Sequence, residues 1–391
     1  MNSKKVSMKD IAGQLGVSVA LVSYVLNGKK TDKINAGTAA RIKDLAAKMN
    51  YSPNQIAKSL KMNRTHTLGL IVADISNLFY SSIAKYIEEQ ANLHGYQVIY
   101  GSAHEDPDRF NSILQLLLSR QVDGLIIAVP EKAEGCIEQL KGLNKPFVII
   151  DRKFYDFADV PTVLLNNKLA SEEIVTHFAG SGYNRLGIVT INRNLVSLAE
   201  RKQGFMDAAK ALHLTKPFVY ELEEDQMDTQ MEQVIHTAIF KDKVDGLCFF
   251  TNKVAMTGLS MISGLGVAIP EELGIVCFDE AKAYDIFRKP VTYYRQPLEE
   301  MSNVAVDYLL NLVEDKGKGE TVASSQVGHE LTTAALKEFA GSLVVRESSL
   351  KKKAGRVNRT ANQSAKAAKK PAAKSAADIH TSPKKEKQKN S

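Results

Sequence analysis

Several polar residues in this 391-residue chain stand directly after apolar runs, where they can gather round a small hydroxylated molecule. Asp151-Arg152 follows FVII, Asn252 follows GLCFFT and Asp279-Glu280 follows IVCF. Arg201 opens RKQGF at the start of a helix after a loop, and Gln296 sits in YYRQP, where the chain re-crosses. A carboxylate accepts from two hydroxyls, a guanidinium donates a planar fork, and the amides of Asn and Gln do both. The competing account of each residue taken singly is that a charge at a strand end caps and solvates the fold. Catalytic motifs are lacking: there is no H-E-x-x-H, no metal-spaced Cys/His cluster and no G-x-S-x-G. GLG at 264–266 lacks a third glycine and follows a helix, and GKG at 317–319 lacks the earlier P-loop glycine. The expectation is a binding protein and not an enzyme, with no metal site and no cofactor.

Strands must end where those residues stand. TLGLIVA, YQVIYG, DGLIIAV, PFVIID, RLGIVTI, DGLCFF and LGIVCFD read as buried strands between residues 67 and 293. Amphipathic stretches near 80–94, 108–120, 168–180, 199–212, 227–240 and 253–264 read as the helices between them. Strand–helix alternation implies an α/β domain with parallel sheets and helices on both faces. Its ligands bind beyond the carboxyl ends of the strands. Val122-Asp123-Gly124-Leu125 and Val244-Asp245-Gly246-Leu247 each open a strand after a helix, which suggests two lobes of similar build. LEEMSNVAVDYLLNLVED at 298–315 reads as a late helix and HELTTAAL at 329–336 as a last strand.

A different pattern occupies the N-terminus. Ser7-Met8-Lys9-Asp10 has capping-box spacing, Ile11, Ala12 and Leu15 share a face, and Gly16 can take the left-handed angle that ends a helix. Ser18 caps a second helix whose Val22, Val25 and Leu26 form the core stripe, which leaves Val19, Ala20, Ser23, Tyr24 and Asn27 outside. Such a pair is the layout of a helix-turn-helix, although any two short amphipathic helices share it. Asn35 caps a third helix carrying Ile42, Leu45, Ala46 and Met49, and Asn50 closes it. YSPNQIAKSL follows, with Pro53 suited to a first helical turn.

KDIAGQLGVS, VSYVLNGK, YSPNQIAKSL and TLGLIVADISNLFY, in this order, resemble the lactose-repressor (LacI/GalR) family of transcription regulators from about Val6 to Ala340. The resemblance implies a type I periplasmic-binding-protein-like domain whose two lobes close on an effector. The effector is most simply a sugar or sugar derivative. Residues matching Arg201, Asn252, Asp279 and Gln296 face the cleft, and Asp151, Ser76, Asn77 and Phe79 line it too. As a set at matched positions these residues favour a ligand site. The resemblance also implies a homodimer on a palindromic operator in double-stranded DNA, with the second helix in the major groove. Ser7, Ser18, Val19, Ala20, Ser23, Tyr24 and Asn27 are the DNA-facing candidates there. Asn54, Ala57, Lys58 and Leu60 are those of a hinge helix, in which Leu60 matches a minor-groove wedge. The chain departs from the family pattern at Leu78, where proline is usual, at Lys253, where an acidic residue is usual, and at Ala128. In the reading helix Tyr24 stands where arginine is common, so a bidentate guanine contact gives way to one hydroxyl and a flat face.

Charge divides the chain. Residues 1–64 carry +9, 65–340 carry −13 and 341–391 carry +11. Basic ends round an acidic middle suggest nucleic acid at the ends. The expected parts are a headpiece over 1–50, a hinge helix over 51–66, an effector-binding and dimerisation domain over 67–340, and a disordered Lys/Ala-rich tail over 341–391. AKAAKKPAAKSAA in that tail resembles linker-histone tails. Cys136, Cys248 and Cys277 form no C-x-x-C and read as buried inert thiols in a reducing cytoplasm. The sequence shows neither an apolar stretch of membrane-spanning length nor a secretory signal, so the expected place is the bacterial cytoplasm, at the nucleoid, with no membrane partner. The rival readings are a solute-binding protein and an architectural nucleic-acid protein driven by the tail.

Overall fold

The computed structural model describes residues 6–27, 34–51, 64–318 and 336–351. Three helices, Met8–Leu15, Val19–Leu26 and Ala36–Lys48, come first. Their contact surface is made by Ile11, Ala12, Val22, Val25, Ile42 and Ala46, all buried. This is the apolar stripe of each helix turned inward.

The chain then lays down β1 (Thr67–Val72), β2 (Gln97–Ser102), β3 (Gly124–Ile127), β4 (Phe147–Ile150) and β5 (Thr162–Leu165) for one sheet. A second sheet receives β6 (Leu186–Ile191), β7 (Phe218–Leu222), β8 (Gly246–Phe249), β9 (Gly274–Phe278) and β10 (Thr292–Arg295). The last two strands are shared out: β11 (Leu336–Phe339) joins the first sheet and β12 (Ser342–Val344) the second. The orders are β11-β5-β4-β3-β1-β2 and β12-β10-β9-β8-β6-β7, with every pair parallel except β10–β12. The first five strands of the two lobes are therefore topological copies, and the last strand runs in opposite senses. The central strands are apolar throughout because both faces are covered. Leu68, Leu70 and Val72 of β1 enter one core and Ile71 another, while Leu247 and Phe249 of β8 part from Cys248 in the same way.

Three crossings join the lobes. The helix Asn167–Gly180 follows β5 yet packs in the second lobe through Ala170, Ile174 and Phe178. The helix Leu298–Lys318 follows β10 yet returns to the first lobe through Met301, Ala305 and Leu309. The short link between β11 and β12 is the third crossing.

The repeated V-D-G-L has one structural cause in both lobes. The Asp123 carboxylate accepts from the amides of Thr65 and His66 at 2.8 Å each, and Asp245 accepts from those of Asn184 (3.1 Å) and Arg185 (2.9 Å). Each aspartate ties down the entry to the first strand of its lobe. A Cβ on Gly124 would stand 2.6 Å from Leu309 Cδ1, and one on Gly246 2.7 Å from Leu186 Cδ2, so each glycine admits a close neighbour.

Some expectations need correction. The strands β5, β7, β10 and β12 and the helix Gly135–Gly142 add to those read from the sequence. The last strand of the first sheet is LKEF at 336–339, which shares only Leu336 with HELTTAAL; residues 329–335 lie outside the described chain. Order also continues past residue 341. SLV at 342–344 pairs with β10, the Ser348 hydroxyl donates to Ile275 O at 2.6 Å, and Ser349 lies 2.6 Å from Thr292 Oγ1 and 2.7 Å from His177 Nε2. Partners about 50 to 170 residues away hold this polar segment, so its composition did not reveal it. Residues 352–391 lie outside the described chain.

Candidate ligand cleft and nucleic-acid interface

Local chemistry builds the headpiece. Ser7 Oγ accepts from the Asp10 amide and the Asp10 carboxylate accepts from the Ser7 amide at 2.8 Å, a complete capping box. Gly16 closes the helix at φ 65°. Ser18 Oγ accepts from the Leu21 amide, Asn35 caps the third helix, and Asn50 stands at φ 48°. On the second helix Val19, Ala20, Tyr24 and Asn27 are exposed and Ser23 is half-buried. Val19 and Tyr24 are large side chains left 41% and 38% exposed on this face. The Asn27 amide donates to Ser23 O at 2.7 Å and Ser23 Oγ at 3.2 Å, so these two candidates also brace the helix end. Asn54, Ala57, Lys58 and Leu60 lie outside the described residues.

The cleft lies at the carboxyl ends of both sheets and holds a cavity of about 280 Å³. Six of the eight candidate effector residues line it: Asn77, Phe79, Asp151, Arg201, Asp279 and Gln296. Asn252 stands just behind it, and its side-chain amide donates across the cleft to Asn77 Oδ1 at 3.0 Å. That same oxygen caps the helix Leu78–Leu93 by accepting from the Phe79 amide. Ser76 does not line the cavity: it is exposed, and its hydroxyl donates to Asp74 Oδ1 at 2.8 Å. Arg201 is placed by the helix Val196–Ala211, in its second turn and not at its start.

Asp279 follows β9 at φ 66° and Asp151 follows β4 at φ 65°, a backbone state that aspartate tolerates better than most residues. Asp279 accepts from Gln296 Nε2 at 2.6 Å and from the Asn252 amide at 3.4 Å. Burial raises its carboxyl above the ordinary range, against the lowering effect of the Arg201 charge and these hydrogen bonds. Arg201 donates through Nε to Asn167 Oδ1 at 2.8 Å and through Nη1 to the Phe250 carbonyl, and it lies 4.0 Å over the Phe278 ring. Burial lowers its own pKa, while Asp279 and Asp151 support its charge. Among the described residues Nη2 has no hydrogen-bond partner.

In the first lobe Tyr80 and Glu105, which the sequence reading passed over, join Asp151 and Arg152 in a cluster. Tyr80 donates to Asp151 Oδ2 at 2.6 Å and accepts from Arg152 Nη2 at 2.8 Å, and the same nitrogen reaches Glu105 Oε1 at 2.5 Å. Burial raises the Asp151 carboxyl, against Arg152 and Tyr80, and raises the Tyr80 hydroxyl strongly. Glu105 stands two residues beyond the buried Ala103 after β2, so the strand-end signal that marked Asp151 marked it too. Tyr80 carries no such signal, because its role depends on a partner 71 residues away. At the rim, Lys253 and Arg193 both reach Glu224, at 2.8 and 2.6 Å. The lysine that departs from the family pattern therefore has an acidic partner from another loop. Lys153 closes the lobes from the other side, 3.0 Å from Glu200 and 3.3 Å from Glu338. Among the described residues no group of His, Cys, Asp and Glu is arranged to hold a metal, and no single helix is long and apolar enough to cross a membrane.

A helix-turn-helix with an exposed outer face, joined to a two-lobed cleft with buried charges, defines a ligand-responsive DNA-binding regulator. Comparison with known proteins agrees. Residues 65–335 match the family described as periplasmic binding proteins and sugar binding domain of the LacI family, and residues 7–54 match the bacterial regulatory proteins of the lacI family. The chain belongs to the LacI family of bacterial transcription regulators. It is similar to the transcriptional repressor PurR of Aliivibrio salmonicida, at 28% identity over 79% of this chain and 93% of that one. The regulator RegA of Clostridium saccharobutylicum is 27% identical over the same shares. Among solved structures, the lac repressor dimer bound to operator and the anti-inducer ONPF superposes with a TM-score of 0.74 at 20% identity, covering 89% of this chain and all of that one. The protein is thus a DNA-binding transcription regulator and not an enzyme.

Proposed function

We propose that this regulator is a repressor that binds a palindromic operator as a homodimer and changes its grip when a small hydroxyl-rich effector settles between the lobes. The observation that carries the reading is the cleft itself. Side chains from both lobes meet in it, with Asn77 bonded to Asn252, beside buried groups that keep hydrogen-bonding capacity. A ligand that binds one lobe separation better than another shifts the population of that state, and the headpieces of a dimer move with the lobes. PurR is by its name a repressor, and the lac repressor structure is a dimer on its operator. Arg201, Asp279, Gln296 and Asn77 are the proposed effector contacts, and Phe79 covers the apolar face of the ligand. The regulator works in the cytoplasm at the nucleoid and carries no cofactor beyond its effector. Asn54, Ala57, Lys58 and Leu60 form the proposed hinge contacts, with Leu60 as the minor-groove wedge.

The test uses the full chain. Selection from a random duplex pool should return an inverted repeat, since two reading helices related by a two-fold axis require two half-sites. An asymmetric motif, or none, overturns the dimeric reading. Residues 352–391, which carry +10, add a second expectation, because a run of cations binds phosphates without reading bases. Truncation after Lys351 should weaken operator and random DNA by similar factors at low salt, with the salt slope shallower by about 0.9 for each phosphate that the tail neutralises. Equal slopes would make the tail a bystander.

A further inference from the structure

The two basic ends of the chain meet the two lobes at matched places. In the first lobe the Asp123 carboxylate accepts from Thr65 and His66, and Arg64 just before them donates to Val313 O at 3.3 Å. The headpiece is joined to the body here. In the second lobe Asp245 accepts from Asn184 and Arg185, and Lys351 Nζ lies 3.9 Å from the same carboxylate and 3.9 Å over the Tyr183 ring. Residues 352–391 continue from this point with a net charge of +10 and no aromatic residue. The two places are opposite poles. Asp74, two residues beyond β1, and Ile191, the last of β6, both line the cleft, so β1 and β6 start away from it on either side. Each strand has six residues and spans about 20 Å at roughly 3.3 Å per residue. The poles are thus on the order of 40 Å apart before the width of the cleft is added.

Lys351 is a fixed point. Ser348 and Ser349 before it are fully buried. The Ser348 amide donates to Pro290 O at 3.0 Å, the Thr292 amide donates to Ser348 Oγ at 2.8 Å, and Arg346 pairs with Asp285. This strap cannot swing toward the first lobe without breaking those bonds. Nor does the second pole offer an acidic bed on which a cationic segment could lie. Its loops 181–185, 212–217, 241–245 and 268–272 hold four carboxylates and four Lys or Arg. Asp242 already accepts from Tyr220 at 2.7 Å, Asp245 from two amides, and Glu272 from the Ala268 amide at 2.9 Å. A coil of 40 residues, the length of 352–391, spans roughly 35 Å between its ends. That is less than the separation of the poles, so the added cations gather at the pole away from the headpiece.

We infer that residues 352–391 dock on a second DNA duplex, so that one dimer bridges two stretches of DNA. The headpieces read the operator at one pole, and the tails hold the phosphates of any other duplex at the opposite pole. Counterion release makes the second contact indifferent to sequence and steep in salt. This rests on the headpiece and tail readings above, and it adds that the two act on different DNA. A duplex several times longer than the persistence length of about 150 base pairs can return to the second pole, so the loss expected on truncation belongs to such DNA and not to an operator-length duplex.

Two-duplex capture with the full-length protein decides it. A duplex of about 25 base pairs carrying the selected inverted repeat is fixed to a surface, the protein is added, and a fluorescent duplex of unrelated sequence follows at low salt. The full-length protein should retain the second duplex. Protein truncated after Lys351 should retain about tenfold less of it or lower, while its affinity for the fixed duplex changes by less than about twofold. Moving residues 352–391 to the N-terminus keeps the charge and changes the pole. That variant should hold the fixed duplex more tightly and lose the second one. Three results overturn the inference: no second duplex on the full-length protein, capture that survives truncation, or equal capture by the relocated variant. A loss of about tenfold on the operator-length duplex after truncation also overturns it, and shows that the tail works on the operator itself. If no variant retains the fixed duplex, the headpiece reading fails and the inference falls with it.

Discussion

Asp151 and Asp279 occupy the same place in two copies of one fold, and they are employed differently. Each follows the fourth strand laid down in its sheet, each is held at a left-handed φ, and each has a carboxyl raised by burial. Asp279 is met by neutral amides, from Gln296 and the Asn252 backbone, and by the charge of Arg201. Asp151 is met by a tyrosine hydroxyl and by an arginine that a second carboxylate already holds. The second lobe thus presents a carboxylate and a guanidinium with capacity left for a ligand. The first lobe presents a nearly closed charge cluster that stiffens its wall. Duplicated topology delivers a carboxylate to each side of a cleft, and the neighbours decide whether its lone pairs serve the ligand or the fold.

The strongest test of this contrast is Arg152→Met. It strips the neutralising charge from Glu105 and Asp151, and breaking a buried pair from one side costs about 3–5 kcal/mol. The midpoint of urea unfolding should fall accordingly, and adding Glu105→Gln should recover part of the loss. Wild-type stability in the single variant would mean that the cluster does not hold the first lobe.

A smaller effect should separate the two aspartates directly. Asn tolerates the left-handed backbone and keeps one acceptor, so Asp279→Asn and Asp151→Asn remove the charge and exchange one acceptor oxygen for an NH2 donor. Effector affinity should drop about tenfold or more in Asp279→Asn, the size of a charge-assisted hydrogen bond, and by less than about threefold in Asp151→Asn. Equal losses would erase the distinction between a ligand-facing and a structural carboxylate.

The gentlest probe is pH. A carboxyl whose folded pKa is raised binds protons more readily in the folded than in the unfolded state. Stability therefore falls as pH rises from the unfolded value, about 3.9 for Asp, through the folded one, and is level above it. Asp151 and Asp279 are both of this kind. Either Asn variant should flatten the decline in acid, measured as melting temperature against pH. Effector affinity should rise over the same window in the wild type and lose that rise in Asp279→Asn, since the ionised carboxylate accepts two hydroxyls. A slope of melting temperature against pH that is the same in wild type and both Asn variants would contradict the raised carboxyls.

What the sequence determined by itself is what interactions within a few residues decide. Ser7 with Asp10, Ser18 with Leu21, Asn35 with Gly37, and the left-handed Gly16 and Asn50 all close within four positions, so the headpiece was legible residue by residue. The strand ends were legible because an apolar run must stop where the sheet meets the cleft, and that rule singled out Asp151, Asn252 and Asp279. The family resemblance put Ser76 in the lining, and no sequence pattern showed that its hydroxyl turns to Asp74. Only the tertiary structure decided the rest. Tyr80 meets Asp151, Arg152 meets Glu105, Asn77 meets Asn252, and Ser348 meets Ile275, across 71, 47, 175 and 73 residues. Such meetings are set by three crossings between two sheets, which bring distant stretches of chain to one wall. No local pattern encodes a partner that the topology, and not the neighbouring sequence, puts within reach.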